Sequence, residues 1–248
     1  MNKTDKFIFW YNNEFKTDPL YKTMEDTCEG SPWHRERSVA VHTDMVVSQY
    51  LLTISTMRNQ HEFIHGLFAC AFHDTGKPEA RIEKYSEARG KYNAFHGHEQ
   101  ISARLWEDYA IRNYKMLEDK FDFDVNDIFK IGFLVEQHKP WELKDPKKLG
   151  MLRETLERLR IKPQFNAMCL ADSRGRIADD YNEKSGKAND WLVNFNRSDY
   201  PREEGHYTSD KILYVPIGAS GSGKSTHWHA LCQSHIDDGT PLNNFSLD

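Results

Sequence analysis

His73 and Asp74 close an apolar run, EFIHGLFACAFHD, and Thr75-Gly76-Lys77 follows at once. A carboxylate buried without a partner costs on the order of several kcal/mol, so it takes up a cation or hydrogen-bond donors. A divalent metal is one such cation. Neighbouring helical residues point about 100° apart, but at a helix end both side chains can turn toward one ion. Four more residues of ligand type punctuate separate apolar segments: His42 in SVAVHTDMVV, His98 in FHGHEQ, His138 in FLVEQH and Asp172 in MCLAD. Any one of these alone reads as a core histidine or a capping aspartate, bonded to backbone. The ordered set of six reads as a cage. Imidazole and carboxylate together suit a divalent transition metal, with manganese first and iron, cobalt, nickel or zinc as the others.

A second chemical signature lies near the end of the sequence. Gly218-Ala219-Ser220-Gly221-Ser222-Gly223-Lys224-Ser225 matches G-x-x-x-x-G-K-[ST] in full, with Thr226 next. It follows the β-run KILYVPI and precedes a helical segment, the context a phosphate-binding loop requires. Backbone N–H groups from Gly218 to Gly223 would wrap the β-phosphate of ATP. Lys224 would reach the outer phosphates, and Ser225 would touch Mg²⁺.

The elements that carry these residues are mostly helical. Periodic apolar positions predict a helix from Ser38 through His42, a more apolar one ending at His73, and a third opening at His98. A fourth runs from Asp124 to Gln137, and two more cover Leu149–Leu159 and Gln164–Asp172. Residues 1–36 are aromatic and acidic, with a turn at Glu29–Pro32. Residues 79–95 read as a polar loop, and 179–210 as a helix tail followed by a linker, with Tyr200–Gly205 the clearest boundary. The expected organisation is an all-α bundle over 1–205, then an incomplete α/β segment over 206–248.

The 248 residues are 38% hydrophobic and 29% charged, with a formal net charge of −5. That composition suits a globular chain and carries no broad basic footprint for duplex nucleic acid. Cys28, Cys70, Cys169 and Cys232 form no CxxC pair. They argue against a disulfide framework or zinc knuckle and fit a reducing, cytoplasmic setting. No apolar run is long enough to cross a membrane, and the N-terminus is not a secretory signal.

Order and spacing of the six residues resemble the HD-domain metal-dependent phosphohydrolases, over roughly residues 30–180, and are similar to the HD domain attached to tRNA nucleotidyltransferases. The resemblance implies that His42, His73, Asp74 and Asp172 hold one metal. It also implies that Asp74 bridges to a second, held by His98 and His138. With a single ion, His98 and His138 would instead contact phosphate or act as acid. Lys77 would contact a phosphoryl oxygen, and Arg174 and Arg176 would pair with phosphate. His96 would rim the site, His34 would line its entrance or, the first reading, be a loop histidine, and His61 and His65 read as structural. A metal so placed acidifies water and offsets phosphoryl charge, which implies hydrolysis of phosphoesters.

NNFSLD resembles the second strand of polynucleotide kinases, which makes Asp248 the general base toward a 5′-hydroxyl. Two strands and a helix cannot cover a sheet on both faces, so kinase turnover is not expected of this chain as it stands. The module order resembles the bifunctional HD-Pnk RNA end-healing enzymes. That implies hydrolysis of RNA 2′,3′-cyclic phosphate and 2′-phosphate ends, with an RNA ligase as a pathway partner. The alternatives are a phosphohydrolase of free nucleotides and a binding module with a structural metal.

Overall fold

The computed structural model describes residues 1–29, 34–36, 38–53, 59–87, 90–177 and 181–198, with backbone alone for 181–185. The phosphate-binding loop at 218–226, its flanking strand and helix, Asp248, and the boundary near 205 lie outside the described residues.

Helices dominate. They are α1 (Lys3–Asn13), α2 (Pro19–Glu25), α3 (Val39–Leu51), α4 (Gln60–Phe72), α5 (Lys77–Ala80), α6 (His98–Arg112), α7 (Tyr114–Phe121), α8 (Val125–Glu136), α9 (Pro146–Arg158), α10 (Lys162–Arg174) and α11 (Tyr181–Arg197). Side chains mark many of their starts. Asn2, Asp18, Ser38, Asn59 and Asp145 each accept a backbone N–H of the first turn, and Asp124 and Asp127 form a capping box. Among the described residues no helix is long and apolar enough to cross a membrane.

The bundle is organised around α4. Every residue from Phe63 to Phe72 is buried, because the run is apolar on all sides and must be surrounded. α1, α3, α6, α8 and α10 pack against it. Aromatic rings fill the joints: Trp10 lies 4.5 Å from Phe68, Phe15 4.7 Å from Phe72, and Trp106 5.0 Å from Phe72. The C-terminal half of α4 is therefore held by tightly packed neighbours, and its end delivers His73 and Asp74.

Three segments differ from the sequence reading. The aromatic stretch at the N-terminus folds as α1, which buries Phe7, Trp10 and Tyr11 at i, i+3, i+4 spacing. Residues 82–94 are no plain loop but an antiparallel hairpin, β1 (Ile82–Ser86) with β2 (Gly90–Ala94), in register from Ile82↔Ala94 to Ser86↔Gly90. Ile82 and Tyr85 stay exposed, so no buried face announces the strands. The charged region after 179 forms the long helix α11, anchored by buried Leu192 and Phe195.

Two glycines let elements approach closely at the site. A Cβ on Gly76 would stand 2.4 Å from the carbonyl oxygen of His98 and 2.7 Å from the Ser102 nitrogen. One on Gly175 would stand 2.7 Å from the Val46 nitrogen. Both obstructions are backbone and cannot swing aside. Gly76→Ala is expected to push α6 away and lower stability by roughly 1–3 kcal/mol, as overpacking does. Urea denaturation checks it, and an unchanged midpoint would show that the tight approach is not needed.

Candidate metal centre

Six side chains from five helix ends meet inside the bundle. His42 comes from the first turn of α3, His73 and Asp74 from the end of α4, and His98 from the start of α6. His138 lies just past α8, and Asp172 in the last turn of α10. All are at most 5% exposed. Asp74 is the hub. Its Oδ1 lies 3.1 Å from His98 Nε2 and 3.6 Å from His138 Nε2. Its Oδ2 lies 3.1 Å from His73 Nε2 and 3.5 Å from His42 Nε2. Asp172 Oδ1 adds contacts of 3.1 Å to His42 Nε2 and 3.9 Å to His73 Nε2.

Backbone carbonyls orient all four imidazoles. Nδ1 of His42 faces the oxygen of Gly175 at 2.8 Å, and that of His73 faces Cys70 at 2.8 Å. Nδ1 of His98 faces Phe95 at 2.6 Å, and that of His138 faces Val135 at 2.7 Å. A carbonyl only accepts, so each Nδ1 carries a proton, and each Nε2 points inward as the atom that would meet an ion once it carries none. This is the tautomer of a metal-ligating histidine.

The interior therefore gathers acceptors. His98 Nε2 and His138 Nε2 face one another at 3.3 Å. His73 Nε2 and Asp74 Oδ1 are buried with no hydrogen bond, and Asp74 Oδ2 has the Lys77 ammonium at 2.7 Å. Such crowding calls for a cation. Ligand atoms at about 2.1 Å from an ion stand roughly 3.0–3.4 Å apart on adjacent corners of its coordination polyhedron, close to the separations here. His42, His73 and Asp74 form one group that could hold a metal ion, and Asp74, His98 and His138 form another. The residues fit a divalent cation, and the donor set leaves its identity open.

Electrostatics agree. Burial would lift the Asp74 carboxyl, but His73 and Lys77 beside it hold it well below the ordinary carboxylate range. Burial works the same way on Asp172, and the hydrogen bond and charge of His42 outweigh it. His42 is disfavoured as a cation by burial, yet hydrogen bonds to Asp172 and Glu36 push it up to about 10. Burial drives His138 well below the ordinary imidazole value, with the neighbouring His73 and His98 adding to the effect. A proton on His42 thus stands where a metal would be, and metal uptake would release it.

No family model matches the chain, and no curated protein matches it.

Lys77 follows a turn and is nonetheless buried. It is 4% exposed, and its Nζ lies 2.7 Å from Asp74 Oδ2 and pairs with the buried Glu29 as well. Its ammonium therefore faces two carboxylates, and the expected contact with a phosphoryl oxygen would compete with them. Arg176 donates to the Asp172 carbonyl at 3.3 Å, while its Nε is buried with no hydrogen-bond partner. Arg174 is exposed at the end of α10. His96 is exposed too, 2.9 Å from Lys84 Nζ.

Three neighbours of the cage are not among the candidate ligands of the sequence. Glu36 Oε1 lies 3.1 Å from His42 Nδ1 and 2.7 Å from His34 Nδ1, and Glu36 Oε2 accepts the Ile177 N–H at 2.9 Å. Burial would raise Glu36, but the hydrogen bonds from His34 and His42 hold it at about 2. Glu29 Oε2 lies 2.9 Å from His34 Nδ1. His34 is half-buried with its ring 4.8 Å from that of His42, closer to the centre than a loop histidine at an entrance. The signal in EGSPWHRERS is the pair of glutamates flanking a histidine, readable only once a buried lysine needs a partner.

Proposed function

We propose that this chain is a divalent-metal-dependent phosphohydrolase of the HD-domain type that acts on RNA 2′,3′-cyclic phosphate and 2′-phosphate ends. The observation that carries the reading is the cage itself: four imidazole Nε2 atoms and two carboxylates turned toward one another in a buried space. His42, His73, Asp74 and Asp172 would hold one ion, and Asp74, His98 and His138 a second. A bound divalent cation supplies Lewis acidity there, acidifying water and drawing charge from phosphoryl oxygens.

The chain's own residues do the rest. Backbone carbonyls lock the four rings, so the ligands need no reorganisation. Lys77 positions Asp74 through their ion pair. The unpartnered Nε of Arg176 is a donor suited to an anionic oxygen. His98 and His138 are the groups in the cage that can pass a proton when one ion suffices. RNA enters the proposal through the pairing of this helical region with a phosphate-binding loop at Gly218–Thr226.

The test is a manganese-loaded full chain given RNA ending in a 2′,3′-cyclic phosphate and, separately, nucleoside monophosphates. Faster turnover of the RNA end is expected. A preference for mononucleotides would assign the cage to free nucleotides, and bound metal without turnover of either would make it structural.

A further inference from the structure

The sequence reading takes His61 and His65 as structural, and the fold brings one carboxylate to both. The two histidines lie one turn apart on α4, at the end opposite the cage and about 12 Å or more from His73 along the helix axis. Asp127, in the first turn of α8, faces both. Its Oδ1 lies 3.0 Å from His65 Nε2, and its Oδ2 lies 3.1 Å from His61 Nε2. The three side chains form a compact group of ligand atoms within 4.8 Å of one another.

His65 makes the group more than a charge network. It is 1% exposed, its Nδ1 makes no hydrogen bond, and its Nε2 faces only the Asp127 carboxylate. A cation between the two Nε2 atoms and the Asp127 carboxylate would engage all three side chains at once. Asp127 is fixed by the capping box, its Oδ2 accepting the Asp124 N–H at 3.1 Å. Phe123 closes over both rings at 5.9 and 5.5 Å, while His61 keeps 32% of its side chain exposed and gives a way in. Two histidines at i, i+4 on one helix face plus a carboxylate from a neighbouring helix make a zinc donor set, with four donor atoms if Asp127 uses both oxygens.

We propose that His61, His65 and Asp127 form a second, structural zinc site, separate from the cage, that fastens the first turns of α4 and α8 together. The stretch His61-Glu62-Phe63-Ile64-His65 has the spacing of zinc peptidases, in which the glutamate serves as base. Here the Glu62 carboxylate receives Gln164 Nε2 of α10 at 3.4 Å, so it is engaged away from the group. That contact favours a structural site over a hydrolytic one. One rearrangement accompanies binding. Lys3 Nζ now lies 2.7 Å from His61 Nδ1, which places the proton of that ring on Nε2. On zinc binding the proton moves to Nδ1, and Lys3 keeps its bonds to the Phe121 carbonyl at 2.8 Å and to Asp122 at 3.1 Å.

The test uses the full chain stripped with chelator, titrated with Zn²⁺ and counted by elemental analysis, with Co²⁺ absorption reporting tetrahedral coordination. His61→Ala is expected to lose one zinc equivalent relative to its parent, or to bind it on the order of 100-fold more weakly, with helical circular dichroism kept. The same loss is expected when the cage already carries Asp74→Asn. Lys3→Met, which removes a competing cation at the surface, is expected to tighten zinc several-fold. Equal zinc stoichiometry and affinity in His61→Ala and its parent would overturn the site, as would unchanged affinity in Lys3→Met. Neither readout depends on phosphoester turnover.

Discussion

Asp74→Asn is expected to lower phosphoester hydrolysis by on the order of 1000-fold or more, equivalent to about 4 kcal/mol of transition-state stabilisation, and to strip metal from the cage. The size follows from position. Asp74 is the one side chain that reaches every other member of the centre except Asp172, with one oxygen toward His98 and His138 and the other toward His42 and His73. The amide keeps the volume but removes the charge. It also puts an N–H group where an imidazole lone pair points, which then accepts a hydrogen bond instead of an ion. Lys77 keeps Glu29 as a partner when Asp74 loses its charge, so folding should survive and circular dichroism can verify it. Bound metal and turnover are measured on the same preparation. Unchanged turnover would remove the cage from the chemistry altogether, whatever its metal content.

The cage was legible in the sequence because metal-type side chains interrupt apolar periodicity at the ends of separate segments. A histidine or aspartate closing such a run is costly unless partnered, and six in order make the pattern. Its surroundings were not legible. Glu29, His34 and Glu36 sit outside any periodic segment, and what makes them matter is a buried ammonium on Lys77. Burial of a lysine just after a turn has no local signature. The same limit hides the His65–Asp127 contact, in which the partners come from different helices and neither flank shows the other. In the fold, α4 could be read from composition alone, being apolar on every side. The hairpin could not, since β1 has no buried face to impose a period of two. Helix α11 was obscured by its charged residues, although Leu192 and Phe195 sit three apart and both reach the core.

Lys77→Met is expected to destabilise the metal-free protein by about 3–5 kcal/mol at neutral pH, the cost of breaking a buried ion pair from one side. Methionine fills similar space, so the loss is electrostatic. Glu29 and Asp74 are 2% and 1% exposed, and both face the Lys77 ammonium. Burial raises Glu29, and Lys77 followed by His34 lowers it below the ordinary carboxylate range. In the parent these depressed carboxylates contribute stability above the unfolded carboxylate pKa, and it is lost as pH falls through the folded value. Without Lys77 the balance tips toward burial and the carboxylates retain protons at higher pH. The sign then reverses for them: protonation relieves the buried charge, so the deficit of the variant should shrink between pH 7.5 and pH 5. Manganese should shrink it too, because a divalent ion at Asp74 replaces the missing positive charge, and the variant should bind that ion more tightly than the parent. Urea denaturation in chelator and in Mn²⁺, each at both pH values, separates these effects. A difference below about 0.5 kcal/mol in chelator at neutral pH would mean that solvent, not Lys77, compensates Glu29 and Asp74. A deficit that grows in Mn²⁺ would mean that the ammonium and the metal act together at Asp74 instead of competing for it.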